Sequence, residues 1–144
     1  MYSEETMQSV FGLDPRQDAK VVLIPVPVDA TASYRRGTHL GPAALVQASE
    51  QIDYGDFHAP DGYQAGISLD ESLTPDIVQA NAEVIPLIDA YRAGMLSGEA
   101  LRPRVDAFGE QVREALFQRS CELLRAGKIV GVLGGDHSVA LGAI

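Results

Sequence analysis

The pentapeptide Gly134-Gly135-Asp136-His137-Ser138 closes an apolar run, KIVGVL, and holds the residue types best suited to chemistry in this chain. Two glycines let the backbone turn tightly and bring the next side chain over the carboxyl edge of a sheet. A neutral imidazole at His137 offers a nitrogen donor of the kind that binds divalent transition metals. Asp136 is the candidate to orient it from behind, with Ser138 beside it. The competing reading of the same residues is local: Asp136 or Ser138 caps the helix that follows, and His137 is an ordinary loop histidine. The pattern alone leaves both open.

Other chemistry-bearing residues are more dispersed. Asp53-x-x-Asp56-x-His58 groups two carboxylates and an imidazole, but Gly55 and Pro60 place it in a turn-rich stretch that reads as solvated loop. His39 either lines a cleft or is exposed. Asp29 and Tyr34, in the same long loop, are the candidates for lining the floor of a site, and no catalytic residue is assigned. Arg35-Arg36 and Arg102 with Arg104 read as ion-pair or subunit contacts. Cys121, near Leu123 and Leu124, reads as a small buried hydrophobe rather than a nucleophile. Gly134-Gly135 lacks the G-x-G-x-x-G or Walker spacing that cradles a nucleotide phosphate.

The elements that must position these residues are legible from periodicity. Lys20 to Val28, KVVLIPVPV, is an unbroken β-branched run, as expected of a central parallel strand covered on both faces, with Pro25 and Pro27 stopping its ladder. Asp29 to Gly41 is then a long loop at a strand's carboxyl end. Gly41-Pro42 opens a helix with Ala44, Leu45, Ala48 and Ile52 as its apolar stripe and Pro42 at the first helical position. Tyr63 to Leu69 contains a short strand. Thr74-Pro75 starts a second helix, with Thr74 as N-cap, whose apolar face is Ile77, Val84, Ile88, Tyr91 and Met95. Pro86 is expected to kink it, and Gly94 and Gly98 flank its end. A third helix runs from about Val105 to Arg125, burying Val105, Phe108, Val112, Leu116 and Leu123 and stopping at Gly127. Lys128 to Leu133 is a second buried strand, and Val139 to Ile144 begins another helix. Strand, helices, strand, loop and helix in this order imply a three-layer αβα fold with a mainly parallel sheet.

The chain has 144 residues, 46% of them hydrophobic, and a net charge of −9. That suits one globular domain, with residues 1–19 as a polar N-terminal arm and 20–144 as the α/β body. The acidity argues against a nucleic-acid partner, which needs a basic face, and favours a small cationic ligand. Apolar stretches fall far short of the ~20 residues of a membrane span, so no membrane partner is expected. One cysteine and an acidic N-terminus in place of a basic secretory signal point to the cytoplasm.

Two segments in order carry a family resemblance. Gly134-Gly135-Asp136-His137-Ser138 resembles the GGDHS motif that supplies the first metal-binding histidine of the ureohydrolases, the arginases and agmatinases. Ile24 to Pro42, with a proline-containing strand end, a D-x-T-x-S-Y-x-x-G loop (Asp29 to Gly37) and a Gly-Pro helix start, is similar to that family's opening strand and loop. The resemblance covers roughly residues 20–144. It implies an arginase-like fold, of which this would be the N-terminal part, and a pair of manganese ions held by two histidines and four aspartates. Nickel or another divalent metal is an alternative. The implied activity is hydrolysis of a small cationic guanidino compound to urea, agmatinase-like. Guanidine or another guanidino compound is the alternative substrate. The implied assembly is a homo-oligomer, trimer or hexamer. Of the ligands, His137 alone matches. The D-A-H-x-D and S-x-D-x-D-x-x-D-P blocks are not in this sequence, which ends at Ile144, shortly after His137. We therefore expect the segment alone to be inactive: part of a longer enzyme, or a non-catalytic remnant or partner-dependent α/β domain.

Overall fold

The computed structural model describes residues 10–13 and 18–144. Most of the expected arm, residues 1–9 and 14–17, lies outside these. Three strands form a parallel sheet in the order β2-β1-β3, with β1 at Val21–Val26, β2 at Ile67–Leu69 and β3 at Ile129–Gly134. Helix α1, Gly41–Ser49, follows β1; helices α2, Thr74–Arg92, and α3, Gly98–Arg125, lie between β2 and β3.

Side-chain alternation along β1 divides the core in two. Val22, Ile24 and Val26 face α2 and α3 and pack with Ile77, Ala80, Val84 and Ile88 of the first and Leu101, Phe108, Val112, Leu116 and Leu123 of the second. Leu23 points the other way and joins Ile67, Leu69 and Leu133 against Val46 of α1 and Val10. The result is the expected αβα layering, with the thicker layer on the α2–α3 side. Ile24, Val26 and Leu116 are inaccessible to solvent, and each stabilises the fold by about 1.5–3 kcal/mol through burial.

Several local expectations are corrected. Pro25 does not stop the ladder: it lies inside β1, in register with Leu133. Polar groups of Val21 and Leu23 point toward the β2 side, where Val21 N–H donates to Gly66 and Leu23 C=O accepts from Asp70. Pro25 shares that orientation but lies beyond the end of β2, so its missing N–H has no strand partner to lose. In α1 the buried residues are Pro42, Val46 and Ser49, while Leu45 and Ile52 of the expected stripe are exposed. The helix presents to β3 and Val10 a face rotated from the one periodicity favoured, and Ser49 Oγ accepts from Phe11 N–H at 2.8 Å. Pro42 is the second helical residue, after Gly41.

Thr74 is not an N-cap. Leu73 takes that position, and Thr74 Oγ1 donates to the Pro25 carbonyl at 3.4 Å. Ile77, Val84 and Ile88 are buried as expected, but Tyr91 and Met95 are exposed, because the helix ends at Arg92 beyond the edge of the core. Helix α2 runs through Pro86, and the carbonyl of Ala82 that loses its donor lies on an exposed turn where water can replace it. Helix α3 begins seven residues earlier than expected. Ser97 is its N-cap, accepting from Ala100 N–H at 3.2 Å, and Pro103 is accommodated near the start. Its stop at Gly127 is as expected: φ is +74° there, and Gly127 and Lys128 N–H return to Leu124 and Leu123. Strand β3 is half-buried rather than buried, since it has a partner on one side only among the described residues. The segment after it, His137–Gly142, is a 3-10 helix.

Candidate functional site

The turn after β3 owes its shape to close backbone approach. A Cβ on Gly135 would overlap the Val28 carbonyl oxygen, and one on Gly134 would overlap the Val139 side chain. Without them, Gly135 N–H donates to Val26 and Asp136 N–H to Val28, at 3.0 and 2.8 Å, so the turn lies flat against the end of β1. Asp136 then caps the 3-10 helix: Oδ1 accepts from Ser138 N–H at 3.0 Å and from Ser138 Oγ at 2.5 Å. The capping reading is therefore correct for Asp136. His137, one residue on, is exposed and has no hydrogen-bond partner among the described residues.

The loop after β1 is built around Asp29, whose side chain is fully buried. Oδ2 accepts from Gly37 N–H at 2.7 Å and lies 2.5 Å from His39 Nδ1, while Oδ1 accepts from the Asn81 amide at 3.2 Å. Burial opposes the charged carboxylate, but the hydrogen bonds from Gly37, His39 and Asn81 outweigh it and hold the carboxyl below its ordinary value. Asn81 Oδ1 in turn accepts from the N–H groups of Asp29 and Ala30. The outer part of the loop is fastened to α2: Arg36 makes a bidentate pair with Asp89 at 2.8 and 2.6 Å, and Arg92 donates to the Ala32 carbonyl.

These two loops meet at the carboxyl edge of adjacent strands. Thr31 Oγ1 donates to Asp136 Oδ2 at 2.6 Å. At the other end of the first loop, Gly41 approaches the Gly134 carbonyl so closely that a Cβ would lie 3.3 Å from it. Asp29, Asp136, Ser138 and, through the loop, His39 are thus brought to one region with His137. Tyr34 stands apart, 82% exposed, with the Arg35 guanidinium 5.0 Å above its ring.

The remaining residues take structural positions. Asp56 accepts from the N–H groups of His58 and Ala59 in an exposed turn. Arg36 forms an ion pair, whereas Arg102 and Arg104 lie exposed on α3. Cys121 is half-buried. Two residues that anchor the edge were not anticipated. Asp70, at the end of β2, pairs with Arg119 of α3 at 2.6 Å. Asn81 sits four residues after Ile77 and three before Val84, so a lone amide on an otherwise apolar helix face was its signal. Among the described residues no three His, Cys, Asp or Glu side chains converge as a metal site. No helix among them is long and apolar enough to cross a membrane.

A parallel αβα body with two linked loops at its carboxyl edge defines an α/β domain with its candidate site at the position such folds favour. The Arginase family model matches residues 19–144, and the chain belongs to that family. Among curated relatives, an N(1)-aminopropylagmatine ureohydrolase of Thermus thermophilus is 31% identical over 136 residues, covering 92% of this chain and 36% of the relative. The protein of the same name from Thermococcus kodakarensis is 30% identical over 144 residues, 100% of this chain and 41% of the relative. That from Synechocystis is 29% identical over 130 residues, 88% and 34% respectively. The chain therefore spans roughly a third to two fifths of the length of these relatives. No solved structure matches it significantly.

Proposed function

We propose that this chain forms the opening part of an amidinohydrolase that cleaves a cationic guanidino compound to urea and an amine. The observation that carries this reading is the fastening of the Asp29–Gly41 loop to the β3 turn, by Thr31 on Asp136, beside an exposed His137 that has no hydrogen-bond partner among the described residues. Family membership and relatives named as ureohydrolases of N(1)-aminopropylagmatine support it. The net charge of −9 suits a cationic substrate. Agmatine-like amines carrying a guanidino group are the favoured class, with guanidine or a guanidino acid as alternatives.

The donor set decides how far a metal fits. His137 is free to serve as one ligand, whereas Asp136 is committed to Ser138 and Thr31. The described residues thus offer one position for manganese, nickel or another divalent ion, and a binuclear centre would draw its other ligands from the length of the relatives that this chain does not span. When bound, such ions would lower the pKa of water and supply the nucleophile near neutral pH. The reading carries with it a cytoplasmic homo-oligomer; exposed Leu45, Ile52, Leu141 and Ile144 are consistent with further packing.

The test is urea release by the product of the complete reading frame, with manganese or nickel, from agmatine, N(1)-aminopropylagmatine, guanidine and a guanidino acid. Release from at least one, abolished in His137→Ala, is expected. No release from any of them, with a folded protein, overturns the reading in favour of a non-catalytic or partner-dependent domain.

A further inference from the structure

Asp29 and His39 have the geometry of a proton-transfer pair. The low pKa of Asp29 makes its carboxyl an acceptor, so His39 Nδ1, 2.5 Å from Oδ2, carries the hydrogen. Gly37 N–H on the same oxygen and the Asn81 amide on the other keep the carboxylate from rotating. Nδ1 is thereby fixed inward, and Nε2 is the nitrogen left for other work. The His39 side chain is 43% exposed, and Nε2 has no partner among the described residues. The loop that carries it is held to the β3 turn by Thr31 on Asp136 and by the approach of Gly41 to Gly134. A buried carboxylate that orients an imidazole with one free nitrogen is the arrangement that general acid–base catalysis uses.

We propose that His39 is a proton-transfer residue of the candidate site, with Asp29 as its positioning residue. The proposal rests on the amidinohydrolase reading. The proton that the attacking water gives up passes to His39 Nε2, and the oxygen left bonds to the guanidinium carbon. The carbon–nitrogen bond to the alkyl group then breaks with its electron pair left on that nitrogen, and Nε2 returns the proton there. The second proton of the water moves from the protonated urea to the same amine. Guanidinium and water thus become urea and an alkylammonium with no net proton released. The charged groups on the surrounding elements are Asp29 and Arg36 of the loop, Asp89 and Arg92 of α2, and Asp136 of the β3 turn.

The experiment compares urea release across pH for the product of the complete reading frame and its His39→Gln, His39→Ala and Asp29→Asn variants, with and without free imidazole. His39→Gln keeps a donor for Asp29, and circular dichroism checks that it folds; Asp29→Asn enters only if it does too. The expected result is a kcat lowered by about 10²–10⁴-fold in His39→Gln at little change in KM. The shape of the pH profile should change, and imidazole should partly restore His39→Ala. An active wild type with unchanged kcat and pH profile in His39→Gln overturns the pair and leaves the hydrolase reading standing. So does a loss that imidazole does not relieve and that leaves the profile's shape intact, which marks a structural role. A wild type that releases no urea overturns both.

Discussion

Asn81 and Asp29 are hydrogen-bonded in both directions: the Asn81 carbonyl oxygen accepts from Asp29 N–H at 3.0 Å, and its amide donates to Asp29 Oδ1 at 3.2 Å. The same oxygen takes Ala30 N–H at 2.9 Å. One side chain of α2 therefore satisfies the buried backbone where the chain leaves the sheet. Removing it leaves two buried donors unpaired, each costing about 1–3 kcal/mol. Asn81→Ala is expected to lose about 3 kcal/mol in urea denaturation. A loss under about 1 kcal/mol would show that water replaces the amide at no cost.

Gly135 lies so close to the Val28 carbonyl that any Cβ must displace backbone. Backbone cannot swing aside as a flexible side chain can, so Gly135→Ala is expected to destabilise the protein by about 3 kcal/mol. Gly109, inside α3, faces open space, and Gly109→Ala is expected to stabilise by about 0.5–1 kcal/mol. Thermal melts of the two variants should move in opposite directions. Melts that move together would contradict the close approach.

The contrast between those glycines marks what the residues disclose in advance. The β-branched run at Val21–Val26, the apolar positions of α3 and the Gly127 stop were legible because periodicity and turn chemistry are local, and they led directly to the αβα layering. The rotated face of α1 was not, because whether Leu45 or Val46 is covered depends on where β3 and Val10 lie. The displaced cap at Thr74 has the same origin: a hydroxyl suited to capping found the Pro25 carbonyl across the fold instead. At the site, the pentapeptide after β3 announced itself, but the use of Asp136 as a cap and a clasp for Thr31 depends on two loops that are far apart in the chain. Asn81 was visible as a polar intruder on an apolar stripe; its partners were not.

Acid should weaken the link between β2 and α3. Burial of Asp70 opposes its charge, but the Ser72 hydroxyl, Arg119 and the Ser72 N–H together hold its carboxyl below the ordinary 3.8. A carboxyl lowered in the folded state contributes stability that is complete above its unfolded value and is lost as pH falls through the folded one. Denaturation midpoints should therefore fall as pH drops below about 3.8, and Asp70→Asn should show a flatter decline from a lower neutral-pH value. Neighbouring Glu71 has the opposite sign, since burial raises its carboxyl. Its ionisation costs stability at neutral pH, and Glu71→Gln should be the more stable protein there. An identical acid slope in wild type and Asp70→Asn would remove the Arg119 pair from the account.

The bond from Thr31 to Asp136 is a side-chain contact that joins the two candidate loops directly, and its energetic value is measurable without any activity. Thr31 is exposed and Asp136 half-buried, so the coupling should be modest, about 1 kcal/mol. A double-mutant cycle of Thr31→Val and Asp136→Ala isolates it from the capping bonds that Asp136 makes to Ser138, because those are lost in the single and the double variant alike. Asp136→Ala alone should cost more than Thr31→Val, by the value of the cap, also about 1 kcal/mol. Hydrogen exchange gives the local reading. In Thr31→Val, amides of the loop around Thr31 should lose protection while those of β1 keep theirs, since Asn81 still holds Asp29 and Ala30 at the loop's base. Zero coupling in the cycle, with unchanged exchange in the loop, would mean that the loops lie side by side without holding each other.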